Sequence, residues 1–251
     1  MKFLLFSGTN LKYSIIIPTL NEEKLLPTLL DSLNDPYLKA KYDYEIIVSD
    51  SESIDKTIDI SKSKCDKLLC YETGEIKTIA AGRSKGAKYA AGSILLFINA
   101  DVRIDIKKFL EAAESRFVNS NYVAMTCKIK SYPELERPVD KTFSSLLNIY
   151  FSFINSSGIG MARGECQLIR KDIYDKVGGY KDDIVAGEDF ELFTRIRRQG
   201  KIFFDSEVVV YESPRRYYKW GYSRILFNWF VNSMSSWIFK KSFVKSWEEI
   251  R

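Results

Sequence analysis

The chain has 251 residues and a mass of 29.0 kDa, with 45% hydrophobic and 28% charged residues, enough to bury one sizeable core or two modest ones. Lys and Arg number 38 against 33 Asp and Glu, giving +5 and a pI near 8.8, too mild and too evenly spread for nucleic acid to be the main partner. There is no histidine, which excludes a Ser-His-Asp triad, a Cys-His pair and every His-ligated metal, so a general base here is a carboxylate, with Lys, Tyr or Cys as less usual choices.

At the N-terminus Lys2, followed by Phe3, Leu4, Leu5 and Phe6, looks like the start of a secretion signal, but Gly8, Thr9 and Asn10 interrupt the apolar run and no signal is expected. Tyr13 to Pro18, with Ile15, Ile16 and Ile17 in succession, predicts a strand covered on both faces. Asn21 and Glu22 are expected to open a helix carrying Leu25, Leu26, Leu29, Leu30 and Leu33, closed by Asn34, Asp35 and Pro36. Tyr44 to Ser49 predicts a second strand, followed by a polar turn and a helix from about Ile54. Lys67 to Tyr71 predicts a short third strand, Ile76 to Ala91 a helix rich in small residues, and Ile94 to Ile98 a fourth strand. This succession predicts a mainly parallel α/β sheet with ligands at the carboxyl ends of its strands.

In the second half, strands are expected at Tyr122 to Ile129, Cys166 to Arg170, Lys201 to Phe204 and Val208 to Tyr211. Helices are expected at Thr142 to Phe153, Lys171 to Val177, Glu188 to Gln199 and Trp220 to Phe239. Antiparallel additions to the sheet follow. The last helix is amphipathic, with Phe227, Phe230, Val231, Met234, Trp237 and Ile238 on one side and Arg224, Asn228, Asn232 and Ser235 on the other. Cys65, Cys70, Cys127 and Cys166 lack C-x-x-C spacing and read as buried free thiols in a reducing compartment. No stretch approaches the roughly 20 apolar residues of a membrane-spanning helix, so the expectation is a cytoplasmic protein, free or attached to the inner membrane face.

Three predicted strand ends carry polar residues: Pro18, Thr19, Asn21 and Glu22 after the first; Asp50, Ser53 and Asp55 after the second; Asn99, Ala100 and Asp101 after the fourth. Each alone reads equally as a helix cap or a turn. Together they converge on the edge of a parallel sheet where a nucleotide binds. The glycine-rich phosphate loops G-x-x-x-x-G-K-[ST] and G-x-G-x-x-G are absent from the first strand's end, so a diphosphate there calls for a divalent ion, and Asp101 with Asn99 offers hard oxygen ligands suited to Mg²⁺ or Mn²⁺.

These strings, from Ser14 through Pro18 to Glu23, Ile46 to Asp50 with Ser53 and Asp55, Gly82-Arg83 and Gly86-Ala87, and Phe97 to Asp101, resemble the family 2 glycosyltransferases of the GT-A fold. Gln167 to Arg170, Val177 to Tyr180, Gly187-Glu188-Asp189, Glu191, Leu192, Arg195 and Arg198 continue the resemblance in order, over about residues 13–212. It implies a GT-A-like domain over residues 1–212 and a basic aromatic helical tail over residues 213–251. Pro18, Thr19, Glu22, Asp50, Arg83 and Ala100 would then serve the nucleotide-sugar, Asp101 and Asn99 the metal, and Asp189 would be the base with Glu188 beside it. The base role agrees with the lack of histidine, although acids also suit the first turn of a helix. Asn99 departs from the family's D-x-D and removes one negative charge; Arg83 is followed by Ser84 where Asn is usual; and no Q-x-x-R-W of processive synthases appears. The implied reaction is metal-dependent, inverting transfer of one sugar from a UDP- or GDP-sugar to a hydroxyl or lipid-phosphate acceptor. Two alternatives stand beside it: a sugar-phosphate nucleotidyltransferase, for which the Pro18 to Glu22 loop lacks glycine, and a non-catalytic sugar- or lipid-binding protein at a membrane surface.

Arg215, Arg216, Lys219 and Arg224 precede the tail helix and Lys240, Lys241 and Lys245 follow it. Basic flanks around Trp229, Phe230 and Trp237 suit an anionic membrane surface, with the Thr142 to Phe153 helix as a second contact. Packing on the protein's own core or a homodimer explains the same pattern, and Arg215 and Arg216 alternatively clamp phosphates of the donor or acceptor.

Overall fold

The computed structural model describes residues 12–72, 74–239 and 241–244. The run from Lys2 to Phe6, Lys240, Lys245 and the side chain of Trp237 lie outside what is described.

The β-branched run at the start of the described chain forms β1 (Tyr13–Thr19), buried at every position. Its side chains alternate between two cores: Tyr13, Ile15 and Ile17 face one and Ile16 the other. Neighbours repeat the alternation, with Ile46 and Val48 against Ile47 in β2 (Tyr44–Asp50) and Leu96 against Leu95 and Phe97 in β4 (Ile94–Phe97). With β3 (Lys67–Cys70), β5 (Val102–Ile104), β6 (Tyr122–Ser131), β7 (Gln167–Arg170) and β8 (Lys201–Glu212) they make one eight-stranded sheet, ordered β3-β2-β1-β4-β7-β6-β8-β5. Pairs β1/β2, β1/β4, β2/β3 and β6/β8 are parallel; β4/β7, β6/β7 and β5/β8 are antiparallel. This is an α/β fold with a mostly parallel sheet and antiparallel additions.

The helices are α1 (Leu26–Leu33), α2 (Pro36–Tyr42), α3 (Thr57–Lys64), α4 (Ile79–Lys88), α5 (Ile106–Ala112, continued by a π-helical turn over Ala113–Val118), α6 (Pro138–Ser156), α7 (Lys171–Lys176), α8 (Glu188–Arg197), α9 (Arg215–Trp220) and α10 (Tyr222–Phe239). Four expectations need correction. Asn21 does not open a helix: it has φ +53, its side chain accepts from Ile54 N at 2.8 Å, and α1 begins only at Leu26. Residues 201–211 form one strand rather than two, broken only by a register shift where Cys127 pairs with Asp205 and Lys128 with Val209. There the buried Asp205 carboxylate accepts from the backbone of Glu207 and Val208 and binds Arg116, so the charge that looked like a turn signal caps a bulge. Cys70 is exposed and Cys65 half-buried; only Cys127 and Cys166 are buried. The tail helix begins at Tyr222 rather than Trp220, because Gly221 at φ +76 separates it from α9; in it Asn232 and Ser236 are buried, whereas Phe227, Phe230 and Ile238 are exposed. Asn232 Oδ1 accepts from the backbone of Phe243 and Val244, and Ser236 donates to Gly187 O at 3.0 Å, so the polar edge is consumed by local backbone and turns the aromatics outward.

Helix α4 lies against β1 so closely that a Cβ on Gly86 would meet Ile16 Cγ2 at 2.3 Å, and one on Gly82 would meet Pro18 Cβ at 3.1 Å. The small residues that identify this helix are what let it approach the strand. Gly86→Ala gains about 1 kcal/mol of helix propensity but drives a methyl into a β-branched core side chain, an overpacking cost of about 1–3 kcal/mol. A lower thermal midpoint than wild type is the expected result in a calorimetric scan.

Candidate active site

Two clusters of charge stand at the carboxyl ends of the central strands. The first joins the loops after β1 and β2. Asp50, fully buried, accepts from Thr19 Oγ1 (2.8 Å), Ser53 N (2.8 Å) and Ser53 Oγ (2.6 Å). Asn21 N donates to Ser53 Oγ and Glu22 N to Thr57 Oγ1, so each loop's backbone is held by the other's side chains. Pro18 is buried in β1, and Ala100 is buried beyond β4. Asp101 follows, its carbonyl held by Tyr132 OH at 2.8 Å. Arg215, the first residue of α9, reaches across to this cluster and donates to Glu22 Oε1 at 2.8 Å and Asp101 Oδ2 at 3.0 Å. Arg216 is half-buried and lines the cavity described below.

The second cluster is centred on Arg83 in α4, whose side chain is 1% exposed. It donates to Asp189 Oδ1 at 2.7 Å, Glu188 Oε1 at 3.1 Å and Asn99 Oδ1 at 2.9 Å, and it lies over the Tyr180 ring. A Cβ on Gly164 would fall 2.0 Å from an Arg83 nitrogen, so glycine is needed there. Asp189 Oδ1 also accepts from Gln167 Nε2 at 2.6 Å and lies 3.1 Å from the Tyr180 hydroxyl, which in turn bonds Gln167. Oδ2 carries no hydrogen bond among the described residues and lies beside Gly164. The carboxylate is thus clamped through one oxygen and presents the other. Glu188 differs: burial, then the neighbouring Asp189 charge, pushes it up to about 8 against the pull of Arg83.

The structure therefore brings Arg83, Asn99, Glu188 and Asp189 together, and Thr19, Glu22, Asp50, Asp101 and Arg215 together. Arg83 sits on the carboxylate pair, and Asn99 turns its oxygen to Arg83, a use that explains why a neutral amide is tolerated there. Sequence reasoning missed a third, largely buried network: Arg163 donates to Glu212 Oε2 (2.6 Å) and Glu165 Oε1 (3.2 Å), and Tyr217 OH donates to Glu212 Oε1 (2.8 Å). The only signal was an Arg-Gly-Glu triplet in an apolar stretch, Arg163 to Glu165. Burial, set against Arg163, pushes Glu212 up to about 7. Arg83, Asn99, Glu188 and Asp189 line one end of a cavity of about 650 Å³ whose walls include α6 and α10.

A divalent ion finds one hard carboxylate here, Asp101, since the oxygen of Asn99 is engaged by Arg83. Among the described residues no three acidic, Cys or His side chains cluster to hold a metal. The donor set fits an ion that takes one ligand from this chain and the rest from a bound diphosphate and water, as Mg²⁺ sites commonly do.

Fold and motif order are those of the GT-A fold. Residues 14–178 match glycosyl transferase family 2, and the chain belongs to that family. It is 26% identical over 244 residues to a 4,4'-diaponeurosporenoate glycosyltransferase of Staphylococcus haemolyticus, an alignment covering 88% of this chain and 60% of the relative. A mannosyltransferase from Pyrobaculum calidifontis in complex with GDP-Man and Mn²⁺ superposes with a TM-score of 0.68 at 21% identity, over 91% of this chain and 63% of that one. S. aureus TarS 1-349 in complex with UDP-GlcNAc gives 0.60 at 22% identity, over 81% and 58%. The chain thus spans about 60% of the length of these relatives.

Glu188 gives this site a pH signature. Because its folded value is raised from 4.5 to about 8, its contribution to stability is full below 4.5 and is lost as pH rises through about 8. Glu188→Gln removes a proton that the folded state holds more tightly. The wild-type thermal midpoint should therefore fall relative to Glu188→Gln as pH rises through that window, as differential scanning fluorimetry across pH will read.

Proposed function

We propose that the protein transfers one sugar from a UDP- or GDP-sugar to an oxygen acceptor in a single displacement that inverts the anomeric centre. The observation that carries this reading is the Asp189 carboxylate, which lines an open cavity and is clamped through Oδ1 by Arg83 and Gln167. That is the geometry of a general base held for one direction of approach. The GDP-Man and UDP-GlcNAc of the neighbouring structures support a nucleotide-sugar donor.

In this reading the donor lies along the ends of β1, β2 and β4. Thr19 and Asp50 hold the loops in shape beneath it, Glu22 and Asp101 face its ribose and diphosphate, and Arg215 follows the diphosphate as its counter-charge. Asp101 would hold Mg²⁺ or Mn²⁺, which when bound neutralises charge on the leaving diphosphate. Asp189 Oδ2 takes the acceptor's proton as its oxygen attacks. Arg83 keeps Asp189 oriented, while Glu188, carrying its proton at neutral pH, adds no second charge beside it. The tail is read as the acceptor side of the site. Phe227 and Phe230 on α10 and Leu146, Ile149 and Phe153 on α6 are exposed, which supports contact with a membrane surface. Among the described residues no helix is long and apolar enough to cross one.

Asp189→Asn should leave nucleotide-sugar affinity within error by calorimetry and lower kcat about 10²-fold or more, the scale of lost proton transfer. Retention of most of the transfer rate would remove Asp189 from the base role. For Asp101→Ala, titration with UDP- and GDP-sugars with and without Mn²⁺ should show that the metal no longer strengthens binding. Metal-dependent binding that survives the substitution would refute that ligand.

A further inference from the structure

The cavity at Asp189 does not extend to the donor residues: Thr19, Glu22, Asp50 and Asp101 are absent from its lining. Asp189 is thus shared by a cavity whose lining is distinct from the loops after β1 and β2. At that inner end the polar groups are already organised, Arg83 on Asp189 and Glu188, and Arg163 on Glu165 and Glu212. Away from it the walls become mostly apolar, with Arg224, Asn228 and Ser233 of α10 among them. Leu147 and Phe151 come from α6, Phe190 from α8, and Ile225, Trp229 and Met234 from α10. The mouth continues the same chemistry outward: Tyr150, Leu226 and Phe230 line the cavity and are also among the exposed large hydrophobic residues of the chain.

Helices α6 and α10 meet at their first turns, where Phe143 packs on Tyr222 (4.6 Å) and on Tyr217 of α9 (5.4 Å), and Arg137 donates to Tyr222 OH at 2.9 Å. The cavity lies between helices held together at one end. Its volume of about 650 Å³ is in the range of sites that enclose a small molecule. The polar groups of the walls are few beside the apolar ones, so each hydroxyl of a sugar or a polyol that met only apolar wall would lose its water at a cost of about 1–3 kcal/mol. An apolar body is stabilised by the same walls, by about 25 cal/mol for each Å² covered.

We propose that this cavity is the acceptor site and that the acceptor is an elongated, largely apolar molecule ending in a hydroxyl or carboxyl oxygen. The apolar body lies between α6 and α10, and the terminal oxygen rests at Asp189 Oδ2. This rests on the transferase reading, because it is the base at the inner end that makes the occupant an acceptor. A terminal hydroxyl gives its proton to Asp189 as its oxygen bonds to the anomeric carbon and the bond to the diphosphate breaks; a carboxylate attacks already deprotonated. The apolar mouth also fits an acceptor that arrives from a lipid phase, its body leaving the lipid for the cavity with little change in surroundings.

Retinol and retinoic acid serve as probes, one ending in a hydroxyl and the other in a carboxyl, with binding to the full chain read by quenching of tryptophan emission. Leu147→Glu and Leu226→Glu place a charge on the cavity wall at positions that are partly exposed, so the fold should be retained, and calorimetry with UDP- and GDP-sugars on the same preparations checks the donor end. The expected result is saturable binding of at least one probe, weakened about tenfold or more in both variants, with nucleotide-sugar affinity unchanged. If one probe alone binds, it identifies the oxygen group that the inner end accepts. No saturable binding, or equal binding by the variants, while nucleotide-sugars bind normally, overturns the apolar acceptor and leaves the transferase reading intact. Probe binding without affinity for any nucleotide-sugar overturns the acceptor role together with the transferase reading.

Discussion

A buried guanidinium is the constraint around which this structure is arranged. Arg83 carries a full charge at a position almost closed to solvent, and such a charge is tolerated only when opposite charges and hydrogen-bond acceptors surround it. Its partners come from three separate parts of the chain: Asn99 after β4, and Glu188 and Asp189 at the start of α8, with Tyr180 between α7 and α8 lying across the guanidinium. The nucleotide-facing sheet and the C-terminal helices are thereby fixed to each other through one side chain. The glycines of α4 and Gly164 are the steric conditions for it, since the first let the helix lie on β1 and the second leaves room for the guanidinium.

The same residue binds two adjacent acids, and burial beside Asp189 still raises Glu188 against its pull. Asp189 is half-buried and receives its strongest contact from Arg83, whereas Glu188 is more deeply buried and beside an ionised neighbour. Two like charges so close are avoided by leaving a proton on the deeper one. Net charge at the reacting end is kept low without any histidine. The Arg163, Glu165, Glu212 and Tyr217 network repeats the device a few residues away, again with one carboxylate raised by burial beside a shared arginine.

Much of this was legible in the sequence, and the failures have physical causes. The buried strands β1, β2 and β4 announce themselves as continuous β-branched and leucine-rich runs, and the lack of histidine together with the Glu188-Asp189 pair points to a carboxylate base. Asn21 misleads because asparagine serves equally as a helix cap and in left-handed turns, and only the contact with Ile54, supplied by another loop, decides between them. The tail helix was legible only in part: periodicity identifies its two faces but not which one is buried, and Asn232 and Ser236 are buried because backbone groups of other segments need their side chains. Arg163 and Glu212 were invisible because a buried ion pair between residues 49 positions apart leaves no local pattern.

Arg215 has a mechanical consequence. It spans Glu22 and Asp101 from the first residue of α9, and α9 passes through Gly221, at φ +76, directly into α10. Anything that claims either carboxylate competes with that guanidinium, and a displaced Arg215 loosens the anchor of the short helix behind it. The wall formed by Ile225 and Trp229 begins only a few residues further on. The residue that ties the Glu22 and Asp101 loops together and the residues that wall the cavity beside Asp189 thus belong to one continuous stretch of chain, turned at a glycine.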